Sequence, residues 1–210
     1  MPRANRHYTA GCVWHITHRC HNRDYLLKFE RDRRRWKYWL FQARKRFGLS
    51  VLNYIATSNH IHLLVRDTGL HTISRSLQLI AGRVAQEFNH RKSRTGAFWQ
   101  DRYFATAVET DRHLFQCLVY IDLNMVRAGV VSHPAQWEVS GYNDIHNPPL
   151  RYRIIDYDEL CRLGGFTDLN ALQLRHQDWI KEELNRGNRT RESKWTESVA
   201  VGTDSFTSLF

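Results

Sequence analysis

The sequence has few cysteines, and none of them has the spacing of a zinc site or a redox pair. The 210 residues include Cys12, Cys20, Cys117 and Cys161, without any CxxC pair. We therefore predict free thiols in a reducing compartment. The sequence also lacks an apolar run near the roughly 18 residues of a membrane span. Its basic start has no apolar segment typical of a secretory signal. These absences predict a cytoplasmic protein that binds no membrane.

Acidic residues are scarce over the first part of the chain. Residues 1–130 hold 22 Lys and Arg against 9 Asp and Glu, a net charge of +13, whereas residues 131–210 carry −3. Such a basic region favours a polyanion partner such as nucleic acid, although a solvated basic surface is the alternative. Hydrophobic residues make up 42% of the chain, which is enough to form a core.

The order of predicted elements indicates an α+β protein. Strands are predicted over 12–20, 49–57, 60–67 and 97–110, and helices over 30–48, 71–91 and 111–129. The first six elements have the βαββαβ order of a ferredoxin-like antiparallel sheet, with the helix over 111–129 added to it. Ser58 and Asn59 form a short link that predicts a hairpin.

The composition divides the chain into three parts. Pro148 and Pro149 mark a boundary after a principal domain over 1–147. Weak helical patterns predict a helical extension over 148–187. The polar stretch 188–210 is predicted to be a flexible tail.

The segment "NHIHLLV" (59–65) places two histidines on one face of a strand. Side chains two apart on a strand point the same way, so His60 and His62 could chelate one divalent cation. The first alternative is that the two histidines simply lie on a solvated face. The second is a hydrolase site, because some hydrolases also use His-x-His, although Asp67 and His71 do not follow at the spacing of the hydrolase signature.

The helix predicted over 111–129 carries a second candidate pair. Tyr120 and Asn124 are four residues apart and lie one above the other on a polar side of this helix. The alternative is that both residues have only structural roles, with Tyr120 at the edge of the core and Asn124 near the end of the helix.

Both segments together resemble a known family. "SNHIHLLV" (58–65) and "YIDLNMVRAG" (120–129) are similar to the motifs of the single-tyrosine HUH transposases of bacterial insertion sequences. The chain resembles more narrowly the REP-associated tyrosine transposases. "WHITHRCHNRD" (14–24) and "FWQDRYFATAV" (98–108) fit the same family, so the resemblance covers about residues 1–145.

The resemblance implies a ferredoxin-like catalytic core and a role for each candidate residue. His60, His62 and Asn124 would ligate Mg²⁺ or Mn²⁺, and Tyr120 would attack phosphorus to give a 5′-phosphotyrosine and a 3′-OH. The implied substrate is single-stranded DNA with palindromic hairpins, handled at the bacterial nucleoid by a monomer or a homodimer. Relatives often carry proline at the position of Met125, so we expect the helix to continue here.

Arginines near these motifs are the predicted DNA contacts. They are Arg6, Arg19, Arg23, Arg66 and Arg102. Two other functions stay open from the sequence. One is a nucleic-acid-binding ferredoxin-like module without catalysis, and the other is a metal phosphodiesterase that uses water.

Overall fold

A computed structural model describes residues 11–69, 71–110, 112–187 and 190–210. Its strands are β1 (Val13–Arg19), β2 (Ser50–Ala56), β3 (His60–Arg66), β4 (Phe104–Val108) and β5 (Ala200–Val201). Its α-helices are α1 (Glu30–Phe47), α2 (Thr72–Arg91), α3 (Arg112–Asp122), α4 (Asn124–Arg127), α5 (Gly141–His146), α6 (Tyr157–Gly164), α7 (Leu169–Arg186), α8 (Lys194–Glu197) and α9 (Asp204–Thr207). Short 3₁₀ turns lie at His21–Arg23 and Pro134–Gln136.

The strands form a single sheet in the order β2-β3-β1-β4-β5. The first four are antiparallel neighbours, and their order is that of a βαββαβ ferredoxin-like sheet, which confirms the predicted fold class. β5 pairs in parallel with β4. β5 thus adds a parallel neighbour to the predicted antiparallel strands, and the sheet is mixed.

The β2–β3 hairpin turns at Ser58-Asn59, as predicted. The backbone N–H of Thr57 donates to the carbonyl of His60 at 2.9 Å and closes the two-residue loop. β3 is buried on both faces except at its ends. A strand with one solvated face would alternate in burial, so both faces of the sheet must be covered.

Helices cover the two faces of the sheet. Trp36 of α1 packs against Tyr54 of β2, which is the register partner of Leu63 and thus lies on the face opposite His62. α3 packs on the other face, where the side-chain amide of Asn53 donates to the Leu118 carbonyl at 3.2 Å. This packing brings the helix over the histidine face.

Two predicted elements differ from those in the structure. β4 occupies only Phe104–Val108 of the predicted 97–110, and Trp99 makes just an isolated bridge to Cys20. The helix predicted over 111–129 is interrupted at Leu123, which has a ψ of 5° between α3 and α4. Backbone hydrogen bonds span this break, and α4 runs through Met125 to Arg127, so the helix continues past Met125 as expected.

The C-terminal part of the chain packs on the same core. α6 and α7 lie in the predicted helical extension, and the division at residue 147 stays a prediction. Residues 190–210 differ from the expected flexible tail. Trp195 is fully buried, and β5 adds to the sheet. Helix patterns need several apolar residues, whereas one buried tryptophan and a two-residue strand leave little periodicity to read.

Two further findings concern the cysteines and the length of the helices. Cys12, Cys20, Cys117 and Cys161 are all free thiols. None of the described helices combines the length and the apolar character that crossing a bilayer demands.

Candidate functional site

His60 begins β3 directly after the hairpin loop. Its Nδ1 lies 2.7 Å from Oδ1 of Asn59 and 3.0 Å from Oγ1 of Thr57. An amide oxygen only accepts, so Nδ1 carries the proton and donates to Asn59, which leaves a lone pair on Nε2. Burial, reinforced by nearby positive charges, lowers the pKa of His60 to about 4. The imidazole is therefore neutral at pH 7.

His62 is the more deeply buried of the two histidines, at 2% exposure. Its Nδ1 lies 2.9 Å from Nε2 of His15 in β1, and its Nε2 lies 3.0 Å from Nδ2 of Asn124. Its ring centre is 4.9 Å from that of His60. Burial lowers the pKa of His62 well below its usual value, so this side chain is also neutral.

Tyr120 and Asn124 reach the same histidines from above the sheet. The ring centre of Tyr120 is 5.9 Å from that of His62 and 6.0 Å from that of Trp195. Tyr120 is only 3% exposed. The interruption at Leu123 does not separate the pair, because both side chains border one pocket. The structure thus brings together all four residues predicted for the reaction centre.

Opposing effects act on the hydroxyl of Tyr120. Burial raises its pKa, while the positive charges of Arg127 and Arg191 and a hydrogen bond from Arg191 lower it, and the net direction is upward. The guanidinium of Arg127 lies 4.1 Å from the centre of the tyrosine ring and donates to the Tyr120 carbonyl. At neutral pH the hydroxyl therefore keeps its proton.

The pocket has a volume of about 480 Å³. His60, His62, Tyr120 and Asn124 share its lining with Arg19, Arg102, Arg127 and Arg191. Burial, together with the charges of Arg23 and Arg191, lowers the pKa of Arg19. A cleft lined by several guanidinium groups attracts anions, and guanidinium is well matched to the oxygens of a phosphate.

The predicted arginines divide by position. Arg19 and Arg102 line the pocket, and Arg23 is exposed on the 3₁₀ turn that follows β1. Arg66 lies at the other end of β3 and forms an ion pair with Glu159 at 2.6 Å. Arg6 falls outside the described residues. The structure therefore does not bring Arg66 to the pocket.

Sequence reasoning missed His15 and Arg191. His15 shares the alternating face of "WHITHR" with Thr17 and Arg19, so the period of two was a signal that could have found it. Arg191 gave no signal, because it lies in the polar segment predicted to be a tail. Arg127 was recognisable only as one residue on the polar side of its helix.

The donor set fits a divalent cation. It consists of two neutral imidazoles, His60 and His62, and the side-chain amide of Asn124, whose oxygen would have to replace its nitrogen beside Nε2 of His62 to serve as a ligand. In the parts of the chain that the structure describes, no three His, Cys, Asp or Glu side chains gather as metal ligands, so the amide is needed as the third. Two imidazoles and an oxygen suit Mn²⁺, whereas Mg²⁺ prefers oxygen ligands.

Comparisons with known proteins show the family and the fold of the chain. Residues 8–124 match the family of IS200-like transposases. The solved structure of a REP-associated tyrosine transposase bound to a REP hairpin is similar in fold, with a TM-score of 0.57 and 18% identity over 75% of this chain and 95% of that one. A protein of Deinococcus radiodurans R1 assigned as a transposase gives a TM-score of 0.40 and 18% identity over 51% and 86% of the two chains. No curated protein matches the sequence.

Proposed function

Because the chain belongs to the IS200-like transposase family, we propose that it cuts and transfers single-stranded DNA through a covalent bond to Tyr120. This would make it a transposase of the single-tyrosine kind. The family membership supports a DNA-processing enzyme, and the residues of the pocket support the particular chemistry.

The observation that carries the proposal is the convergence of four side chains on one pocket. His60 and His62 come from β3, and Tyr120 and Asn124 come from the α3–α4 region, about sixty residues later in the chain. One chain supplies all four, so a monomer would hold a complete set. A homodimer that exchanges its tyrosines is the other arrangement.

Tyr120 is the proposed nucleophile. Its hydroxyl oxygen bonds to the phosphorus of the scissile phosphodiester, and the bond from phosphorus to the 3′ oxygen breaks. The hydroxyl proton is lost and the leaving 3′ oxygen gains one, so the step needs no net proton. The products are a 5′-phosphotyrosine and a free 3′-OH. Another 3′-OH can reverse the step, because the covalent link conserves the bond that was cut.

The other pocket residues support that attack. Arg127 and Arg191 favour the deprotonated form of Tyr120 by their charge. His60, His62 and Asn124 would hold Mg²⁺ or Mn²⁺. When bound, such an ion would polarise a non-bridging phosphate oxygen and stabilise the charge that develops in the transition state.

The proposed substrate is single-stranded DNA that carries a palindromic hairpin. Arg19 and Arg102 border the pocket where the backbone phosphates would lie, and the fold is shared with a transposase whose structure holds a REP hairpin. Arg23 is exposed, and its charge acts on Arg19, so it would add to the basic surface that meets the DNA. A protein with this substrate would act in the bacterial cytoplasm at the nucleoid, away from any membrane.

The test is a cleavage assay with hairpin DNA labelled at its 3′ end, incubated with Mn²⁺ or Mg²⁺. We expect a labelled protein–DNA adduct that survives denaturation and needs the metal. Tyr120→Phe and His62→Ala should abolish the adduct. Tyr142→Phe is the matched control, because Tyr142 is another buried tyrosine that lies outside the pocket, and it should keep full activity.

Two other outcomes would replace the proposal. Metal-dependent cleavage that survives Tyr120→Phe and leaves no adduct would indicate a phosphodiesterase that uses water. Salt-sensitive binding of hairpins without any cleavage would indicate a DNA-binding module.

A further inference from the structure

A chain of hydrogen bonds runs behind His62 into the protein. Nδ2 of Asn124 lies 3.0 Å from Nε2 of His62, and Nδ1 of His62 lies 2.9 Å from Nε2 of His15. Nδ1 of His15 lies 2.7 Å from the backbone carbonyl of Trp195. This series of hydrogen bonds therefore links the pocket to the C-terminal segment through the imidazoles of His62 and His15.

The inner end of this chain fixes the direction of its hydrogen bonds. A backbone carbonyl only accepts, so Nδ1 of His15 must carry the proton that it shares with Trp195. A neutral imidazole has one donor and one acceptor, so Nε2 of His15 is the acceptor. Nδ1 of His62 must then be the donor, and Nε2 of His62 keeps its lone pair.

The outer end is compatible with this direction, because the amide nitrogen of Asn124 can donate to the lone pair on Nε2 of His62. A cation on Nε2 would take the place of this hydrogen bond, so His15 is the partner that can fix the proton on Nδ1 of His62 when an ion is bound.

Burial and ring geometry make His15 a rigid partner. His15 is fully buried, and the planes of the His15 and His62 rings are only 11° apart, an arrangement that allows an N–H···N bond in the plane of both rings. Thr106, which lies opposite His15 on β4, ties the same C-terminal segment to the sheet, because its hydroxyl donates to the carbonyl of Ser198 at 2.7 Å and lies 3.3 Å from that of Trp195.

We propose that His15 is a positioning residue that holds His62 in the tautomer able to bind a divalent cation through Nε2. The carbonyl of Trp195 sets the direction of these hydrogen bonds, so the C-terminal segment helps to keep Nε2 of His62 free of a proton. The proposal rests on the proposed function, because it concerns the same pair of histidines.

The physical consequence concerns the lone pair. Without an acceptor beside Nδ1, either nitrogen of His62 could carry the proton, and the form protonated on Nε2 has no lone pair for a metal. Partners that orient a ligand histidine from behind typically change metal affinity by about 10- to 100-fold when they are removed. Nδ1 of His60 has its own partner in Asn59, so removing His15 should change the tautomer of His62 and not that of His60.

The first experiment measures the tautomers in the metal-free wild-type protein by long-range ¹H–¹⁵N spectra of the imidazoles. His15→Phe and His62→Ala assign the signals. We expect both His15 and His62 to carry their proton on Nδ1. A His62 protonated on Nε2 would overturn the proposal, whatever the protein does to DNA.

The second experiment measures the affinity of the full-length protein for Mn²⁺ by calorimetry. His15→Phe keeps the shape of the ring and should weaken binding by about 10- to 100-fold. His15→Gln places an amide oxygen near the position of Nε2 and should recover part of the loss. His146→Phe is the control for losing a histidine pair, since His146 contacts His176 and lies outside the pocket. It should bind Mn²⁺ like the wild type.

His62→Ala distinguishes a failure of the role given to His15 from a failure of the metal site itself. If His62→Ala weakens Mn²⁺ binding and His15→Phe does not, the positioning role of His15 is wrong and the metal site stands. If His62→Ala leaves binding unchanged, the metal site of the proposed function fails, and the role given to His15 fails with it. Circular dichroism of each variant shows whether the fold is retained.

Discussion

At the scale of single residues, the protonation of Tyr120 depends on a balance between burial and charge. Burial disfavours the tyrosinate, which raises the pKa, and Arg127 and Arg191 favour it. If Tyr120 is the nucleophile, as proposed, its burial would shield it from water while the adjacent guanidinium groups would still favour its deprotonation. Removing one guanidinium should therefore change the balance measurably.

Arg127→Met removes the charge above the tyrosine ring and keeps the length of the side chain. We expect the pKa of Tyr120 to rise, so the increase of cleavage rate with pH should move to higher pH. At neutral pH, raising the pKa by about 1 lowers the fraction of tyrosinate about tenfold. A pH–rate profile measures the effect. Arg162→Met is the control, because Arg162 pairs with Glu159 on α6, away from the pocket. An unchanged profile for Arg127→Met would exclude this role.

The residues of the site were predictable where a local pattern carries them. Alternation along β3 predicted that His60 and His62 share a face, and a spacing of four predicted that Tyr120 and Asn124 do. The contact between His15 and His62 was not predictable, because it depends on the register between β1 and β3. No pattern within one segment contains that register.

At the scale of elements, α5 packs closely on β2 through Gly141. A Cβ at this position would lie 2.0 Å from Oδ1 of Asn53 and 2.9 Å from the backbone nitrogen of Tyr54. Asn53 also donates to Asp122 at the end of α3, at 3.0 Å. Gly141 therefore leaves room for the side chain that ties the edge strand to the helix carrying Tyr120.

Gly141→Ala should destabilise the protein by about 2–3 kcal/mol, because overpacking displaces Asn53 and weakens its buried hydrogen bonds. Gly82→Ala is the matched control. Gly82 is exposed within α2 and has open space around it, so alanine there should stabilise the helix by up to about 1 kcal/mol. Urea unfolding measures both changes. Equal effects of the two substitutions would contradict the close packing of α5 on β2.

The order of elements was predictable from the sequence, and the ends of two of them were not. The strand predicted from residue 97 begins at Phe104, because Phe98 is buried and Trp99 stacks on His18 instead of extending the ladder. A turn that contains several aromatic residues has the amino-acid composition of a strand, so composition alone predicted a strand there. The interruption of the helix at Leu123 likewise left no mark in a pattern of apolar residues that continues to Met125.

At the scale of the whole molecule, the C-terminal segment is part of the core. Trp195 is fully buried, and its ring lies beside that of Tyr120. Residues 200 and 201 extend the sheet beyond β4. A polar composition predicted a tail here, because the few apolar residues that anchor the segment are too far apart to form a pattern.

Trp195→Ala should lower the free energy of unfolding by about 3–5 kcal/mol, as large-to-small changes of buried aromatic residues do. Leu209→Ala is the control in the same segment. Leu209 is 75% exposed, and its loss should cost no more than about 0.5 kcal/mol. Denaturant unfolding followed by circular dichroism compares the two. A small effect of Trp195→Ala would mean that the segment is not anchored to the core in solution.

The arginines of the molecule differ in whether their charge is available to a DNA phosphate at the pocket. Arg102 is exposed at the rim of the pocket, whereas Arg66 is held by Glu159 at the far end of β3. Along a strand of this length, at roughly 3.3 Å per residue, the two ends lie about 20 Å apart. A DNA backbone that enters the pocket would thus meet Arg102 and pass Arg66 at a distance.

Salt dependence distinguishes these two settings. Each phosphate contact with single-stranded DNA contributes about 0.7 to the slope of log affinity against log salt. We expect Arg102→Gln to weaken hairpin binding at low salt and to reduce this slope by about 0.7, since one contact is lost. Arg66→Gln removes the same charge from the molecule, yet it should leave the slope unchanged. Fluorescence anisotropy over a range of salt concentrations measures both. Equal reductions in the two variants would mean that DNA binding responds to net charge alone, and that the arginines of the pocket have no special place in it.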